Sequence, residues 1–165
     1  MIATRYAKIV MTFGLALFGL IVAIDNIIDY GSNFAFVQHV LSMDTTFPGN
    51  VLMWRAITAP ALHHLGYWLI IAAEALTGLC FLICAGKLAA NLKAPARDFH
   101  RAKSLGVIGA TVGFANWFIG FMVVGGEWFA MWQSKIWNGQ QAAFYFYMTM
   151  LAVLIFLMQG DEELA

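Results

Sequence analysis

A chain of 165 residues with 62% hydrophobic and only 11% charged positions cannot build a surface for water. Soluble domains carry about a quarter charged residues, so lipid must cover most of this one. Nine basic and nine acidic residues cancel, and net charge therefore points to neither nucleic acid nor an acidic partner.

A membrane helix needs roughly 20 mostly apolar residues. Four stretches qualify: 9–28, 65–85, 104–124 and 143–158. They predict an all-α fold, a four-transmembrane-helix antiparallel bundle forming one integral membrane domain over 1–165. Arg5 and Lys8 precede the first span as in a signal peptide. Its apolar run is too long for one, and no small-x-small cleavage site precedes Asp25, so the span is expected to remain. Its small and polar residues, Thr12, Ala16, Gly19, Ala23 and Asn26, recur on one helix face. Asp25 and Asp29 stand one turn apart at its far end, where they are expected to cap loop amides or pair with Arg55 rather than bind a metal.

The loop after the first span holds Phe34, Phe36, Phe47 and Trp54, more aromatic side chains than a disordered linker carries. It predicts short helices near 34–41 and 51–58. The segment Asp44-Thr45-Thr46-Phe47-Pro48-Gly49-Asn50 turns between them. Pro60 suits the first turn of the helix that follows. His63 and His64 sit at the mouth of that helix, His39 and His100 in loops, and spans three and four hold no histidine. A haem held between facing helices by two histidines is not expected. No cofactor is expected, and His63 and His64 are read as polar contacts at the interface.

The second span carries Ala73, Thr77, Cys80 and Cys84 on one face, the cysteines serving as small packing residues. The third carries Gly106, Gly109, Gly113, Asn116 and Gly120 at alternating spacings of three and four. Membrane helices associate through such seams because small residues let backbones approach. Glu74 in the second span and Asn116 in the third lie at similar depth near the membrane centre. A carboxylate there costs on the order of 3 kcal/mol or more unless paired or protonated, and Asn116 is expected to donate a hydrogen bond to it.

The loop between spans two and three carries Lys87, Lys93, Arg97, Arg101 and Lys103. With Arg5 and Lys8 this makes seven cations on one side, against Arg55 and Lys135 on the other. The bias places both termini and the middle loop in the cytoplasm. The remaining loop holds Trp128, Trp132 and Trp137, with Trp128 and Trp132 expected on one helix face. Part of this cluster suits a headgroup belt. The rest, packed against the first outer loop, predicts a structured cap on the outer face. The tail Asp161-Glu162-Glu163 reads as a solvated helix end.

The runs Asp29-Tyr30-Gly31-Ser32-Asn33-Phe34, Ser42-Met43-Asp44-Thr45-Thr46-Phe47-Pro48-Gly49-Asn50 and Met53-Trp54-Arg55-Ala56-Ile57 resemble a bacterial family of predicted small integral membrane proteins, a family of unknown function. Gly125-Gly126-Glu127-Trp128-Phe129, Met131-Trp132-Gln133-Ser134 and Trp137-Asn138-Gly139-Gln140 fit the same family. The resemblance covers nearly the whole chain. It implies a bacterial inner-membrane location and brings no catalytic residues with it.

No spacing matches a metal or nucleophile motif, so an enzyme built on Asp25, Asp29, His63 or His64 is not expected. The leading expectation is a non-enzymatic protein working through protein–protein contact. It would be an accessory subunit of a membrane complex or an immunity protein against a membrane-targeting toxin. Its partner, a membrane or periplasmic protein, would meet Phe34, Phe36, Phe47, Trp54, Trp128, Trp132 and Trp137. A homo-oligomer is compatible with this. The alternative is a small proton- or ion-coupled transporter or channel using Glu74.

Overall fold

A computed structural model describes residues 1–164; the last position of the expected domain, Ala165, lies outside them. Helix α1 spans Ile2–Ile28, α2 Tyr30–Ser42, α3 Pro60–Ala90, α4 Ala96–Arg101, α5 Ser104–Phe114 and α6 Gln140–Met158. From Ala115 to Trp128 helix α5 continues as a wider π-helical stretch. No strand occurs among the described residues. Four helical runs are long and apolar enough to cross a membrane: α1, α3, the α4–α5 run with its π-helical continuation, and α6. The four expected spans lie inside them, so the all-helical four-span bundle holds. The helices extend past the apolar cores; α1, with 27 residues, is roughly 40 Å long at 1.5 Å per residue.

Helix α1 packs along α3, α3 along α5, α5 and its π-helical continuation along α6, and α6 back on α1, which closes a ring. The inward faces are the small-residue seams. Thr12, Ala16, Gly19, Ala23 and Asn26 are all buried, as are Thr77, Cys80 and Cys84, while Val10, Leu17, Ile21 and Ile24 point outward. Closest approach falls at Gly19 and Gly78, where a Cβ added to Gly19 would stand 2.9 Å from the Gly78 nitrogen. Gly106 and Gly109 seat Cys84 and Cys80, and Gly113 faces Thr77 and Met150. Gly120 departs from the expected seam and is exposed. The π-helical winding, with five-residue hydrogen bonds, turns its face away from the phase that spacings of three and four maintain.

At one end of the bundle the two long connections fold against each other. Val40, Met43, Phe129, Ala130 and Met131 form their common core, with Leu52, Ile57 and Trp137 against it. Two side chains in this core, Met43 and Ala130, hold left-handed backbone at φ 54° and 52°. That conformation costs about 1 kcal/mol or more outside glycine, and the tightly packed loops sustain it. The expected helix over 34–41 forms as the longer α2. The expected helix over 51–58 does not form: only a single turn, Met53–Arg55, appears. The Asn50 side chain accepts the Leu52 N–H at 2.9 Å. The Ile57 N–H bonds to the Leu41 carbonyl at 2.8 Å, drawing the strand of chain onto α2. Trp128 and Trp132 likewise do not share a helix, because the π-helical stretch ends at Trp128 and the left-handed Ala130 turns the chain. Pro60 occupies the first turn of α3 as expected.

Candidate functional site

Glu74 is 3% exposed in the bundle interior. Asn26 Nδ2 donates to its Oε2 at 2.8 Å, Asn33 Nδ2 donates to Asn26 Oδ1 at 2.6 Å, and Tyr67 Oη donates to the Asn26 carbonyl at 3.1 Å. The chain of bonds ties α3 to α1 and α1 to α2. It borders a cavity of about 320 Å³ lined by Asn26, Asn33, Tyr67, Glu74, Trp117 and Phe146 among others.

The expected Glu74–Asn116 pair is not formed. Asn26 holds the glutamate, because α1 and α3 come into backbone contact at Gly19 and Gly78 and Asn26 continues the α1 seam toward it. Asn116 is buried, and its Nδ2 has no hydrogen-bond partner among the described residues. Asn116 is among the residues that line a separate cavity.

Arg55 does not pair with Asp25 or Asp29. Its guanidinium lies 5.2 Å from the Trp54 ring and 4.4 Å from the Trp128 ring, and Nη1 donates to the Trp128 carbonyl at 3.2 Å. The turn at Met53–Arg55 aims it at the second loop rather than at α1. Asp25 and Asp29 are exposed, and Asp29, although it precedes α2, makes no capping bond from its side chain. His63 is buried and its Nε2–H donates to the Ile57 carbonyl at 2.7 Å. His64 Nδ1 lies 2.8 Å from the Tyr30 hydroxyl, and its ring stacks on Phe34 at 4.2 Å.

The seven aromatics proposed for partner contact divide. Phe34, Phe36 and Trp137 are half-buried within the fold, with Phe36 and Trp137 packed against the common core of the loops. Phe47, Trp54, Trp128 and Trp132 are exposed, Trp54 by 71%. Each exposed ring meets one from the other loop edge-on: Trp54 with Trp128 at 5.9 Å, and Phe47 with Trp132 at 5.8 Å. Thr45 Oγ1 donates to Ser134 Oγ at 2.9 Å, and the Phe47 N–H to Gln133 Oε1 at 3.0 Å, which locks the two loops together.

One cluster escaped the sequence reading. At the opposite end the tail folds back under the bundle, and the side chain of Asp161, read above as part of a solvated helix end, is only 2% exposed. Its carboxylate receives Lys8 Nζ at 2.7 Å and is paired with Lys103. Both lysines also donate to the Gln159 carbonyl, at 2.7 and 3.0 Å. Arg5 donates to the carbonyls of Leu92, Ala94 and Glu162 and lies over the Phe99 ring. Burial pushes the Asp161 carboxyl up, but the hydrogen bonds from Lys103 and Lys8 outweigh it and hold it below the usual carboxylate range. The signal was present in the sequence: Arg5 and Lys8 continue the period of Thr12, Ala16 and Gly19, which turns both cations inward.

No curated protein and no solved structure matches the chain. A family model does, over residues 4–160. Its description is of an integral membrane protein, which agrees with four helices long and apolar enough to cross a membrane. The chain accordingly belongs to the predicted small integral membrane proteins of DUF2165.

Proposed function

We propose that this integral membrane protein works without catalysis, by binding another protein through the paired aromatics of its two long connections. It acts as an accessory subunit of a membrane complex or as an immunity protein against a membrane-targeting toxin. The observation carrying this reading is the ridge Phe47, Trp132, Trp54 and Trp128, with Arg55 between two of its rings. Tryptophan and arginine are favoured at interface hot spots, and rings braced from both loops lose little entropy on binding. The family resemblance favours a bacterial inner membrane, and the seven-to-two cation bias favours cytoplasmic termini, with the aromatic ridge then in the periplasm. The test is single alanine replacement of the four ridge residues, with partner capture measured from native membranes and reporter fusions at Gly49 and Arg97 fixing the side. A few ridge variants should each lose about 2 kcal/mol or more of binding. Capture that survives all four and fails on lipid-facing changes would move the interface into the bilayer.

The bonded chain Glu74–Asn26–Asn33 beside its cavity favours a second reading, a small proton- or ion-coupled conductor. In the structural role preferred here, Glu74→Gln is tolerated because its amide oxygen still accepts from Asn26. Glu74→Leu strands that donor and costs about 1–3 kcal/mol. A pH-dependent flux in liposomes that disappears in a folded Glu74→Gln protein would establish the second reading instead.

A further inference from the structure

The Glu74 carboxylate spends only one oxygen inside the fold. Oε2 accepts the Asn26 amide at 2.8 Å. Oε1 has no hydrogen-bond partner among the described residues, yet it is not walled in by neighbouring atoms. The open space beside Glu74 is the cavity of about 320 Å³ that its side chain borders. No cation of the chain balances the charge: none of the ion pairs among the described residues includes Glu74. A carboxylate inside a bilayer is costly unless it is paired, so what the site lacks is a positive group that reaches Oε1 through the cavity.

The walls select the kind of cation. Phe36, Trp117, Phe121 and Phe146 line the cavity. The Trp117 and Phe146 rings meet edge-on at 5.8 Å, and Phe36 and Phe121 stack at 5.9 Å. Aromatic rings attract a desolvated cation through their quadrupole, and quaternary ammonium groups are recognised in this way. A hard metal ion instead demands about six or more oxygen ligands, and no group of His, Cys, Asp and Glu side chains suited to a metal ion occurs among the described residues. The volume stands at the lower end of small-molecule sites, which calls for a compact ligand. Asn33 and Ala142 line the cavity and are exposed, so its mouth lies toward the cap end of the bundle, between α2 and α6. At that end of α1 Asp25 and Asp29 are exposed and enter no ion pair among the described residues. Their charge draws a cation toward the mouth.

We propose that this cavity binds a compact organic ammonium ion with an apolar or aromatic body, its positive nitrogen against Glu74 Oε1 and its body among Phe36, Trp117, Phe121 and Phe146. The inference concerns binding alone and rests neither on the aromatic ridge nor on ion flux through the bundle. The test uses the full chain in detergent with benzyltrimethylammonium, following the melting temperature as the ligand is titrated. Neopentylbenzene, of the same shape with carbon in place of the charged nitrogen, is the comparison ligand. The ammonium ion should bind saturably and raise the melting temperature, and neopentylbenzene should not. Glu74→Gln keeps the acceptor for Asn26, so it should fold as the parent does while binding the ammonium ion about tenfold more weakly or worse. Ala142→Leu narrows the mouth at an exposed position and leaves Glu74 in place; it should weaken binding without loss of stability, and it serves as the second variant should Glu74→Gln fail to fold. Equal stabilisation by neopentylbenzene, unchanged affinity in a folded Glu74→Gln or Ala142→Leu protein, or no saturable binding at all would each overturn the proposal. Proton flux without ammonium binding would leave Glu74 as a conductor and overturn the site proposed here; binding without flux would support the site and count against the conductor.

Discussion

Asp161→Ala is expected to cost about 3–5 kcal/mol, the typical penalty for stripping one partner from a buried ion pair. Lys8, Lys103 and Asp161 have side chains no more than 2% exposed, so solvent cannot take over the lost charge. Two ammonium groups would remain close together with the Gln159 carbonyl as a shared acceptor. Asp161→Asn keeps an acceptor without the charge and should fall between. Replacing Lys8, Lys103 and Asp161 together with apolar residues of similar size should recover most of the loss, since an absent charge needs no partner. Thermal unfolding in detergent reads all three. The pH dependence has a definite sign. The folded-state carboxyl is held below its ordinary value, so its contribution is complete above the unfolded value of about 4. It disappears as pH falls through the lower folded value. The gap between parent and Asp161→Ala should therefore be widest at neutral pH and close only in strong acid. A parent and variant with equal melting temperatures at pH 7 would show that the tail is not clamped.

Gly78→Leu should prevent α1 and α3 from assembling, and Gly78→Ala alone should cost about 3 kcal/mol, the upper part of the usual range for overpacking. A Cβ at Gly78 would lie 2.7 Å from the Leu20 nitrogen and 3.0 Å from the Gly19 carbonyl carbon. Backbone cannot swing aside as a side chain can, so the helices must separate. Separation would also draw Glu74, one turn away, from Asn26. Gly113→Leu is a milder case despite its place in the most regular seam. Its clash is with the flexible end of Met150, which has rotamers to move into. Gly14 and Gly86 have open space around them, and alanine there should be nearly silent. If Gly78→Ala proves as silent as Gly86→Ala, the α1–α3 contact is looser than the geometry requires.

These two cases mark the boundary of what a sequence can reveal here. The Gly19–Gly78 contact was half legible: Gly19 stood in the α1 seam, whereas Gly78 lay one residue beside Thr77 and outside the spacing traced along α3. The buried Asp161 carboxylate was less legible still. The period through Arg5 and Lys8 states which way the cations face, but their acceptor lies beyond α6. There the chain turns back at Gln159, with φ −55° and ψ 143°, and no pattern in the tail announces that turn.

Span number, span position and most of the inward faces, though not Gly120, came from sequence alone, because apolar length and the recurrence of small residues are one-dimensional properties that the bilayer reads directly. The membership suggested by the two aromatic loops came the same way. The pairing of polar groups was decided by the tertiary structure. Glu74 meets Asn26 rather than Asn116, Arg55 lies against Trp54 and Trp128 rather than the aspartates, and Asp161 is shared by two lysines from different helices. A hydrogen bond depends on relative shift and rotation to within an ångström. The backbone contact of α1 with α3, the π-helical winding after Phe114 and the left-handed turns at Met43 and Ala130 set those quantities. Each arises from helices packing on one another, at positions far apart along the chain.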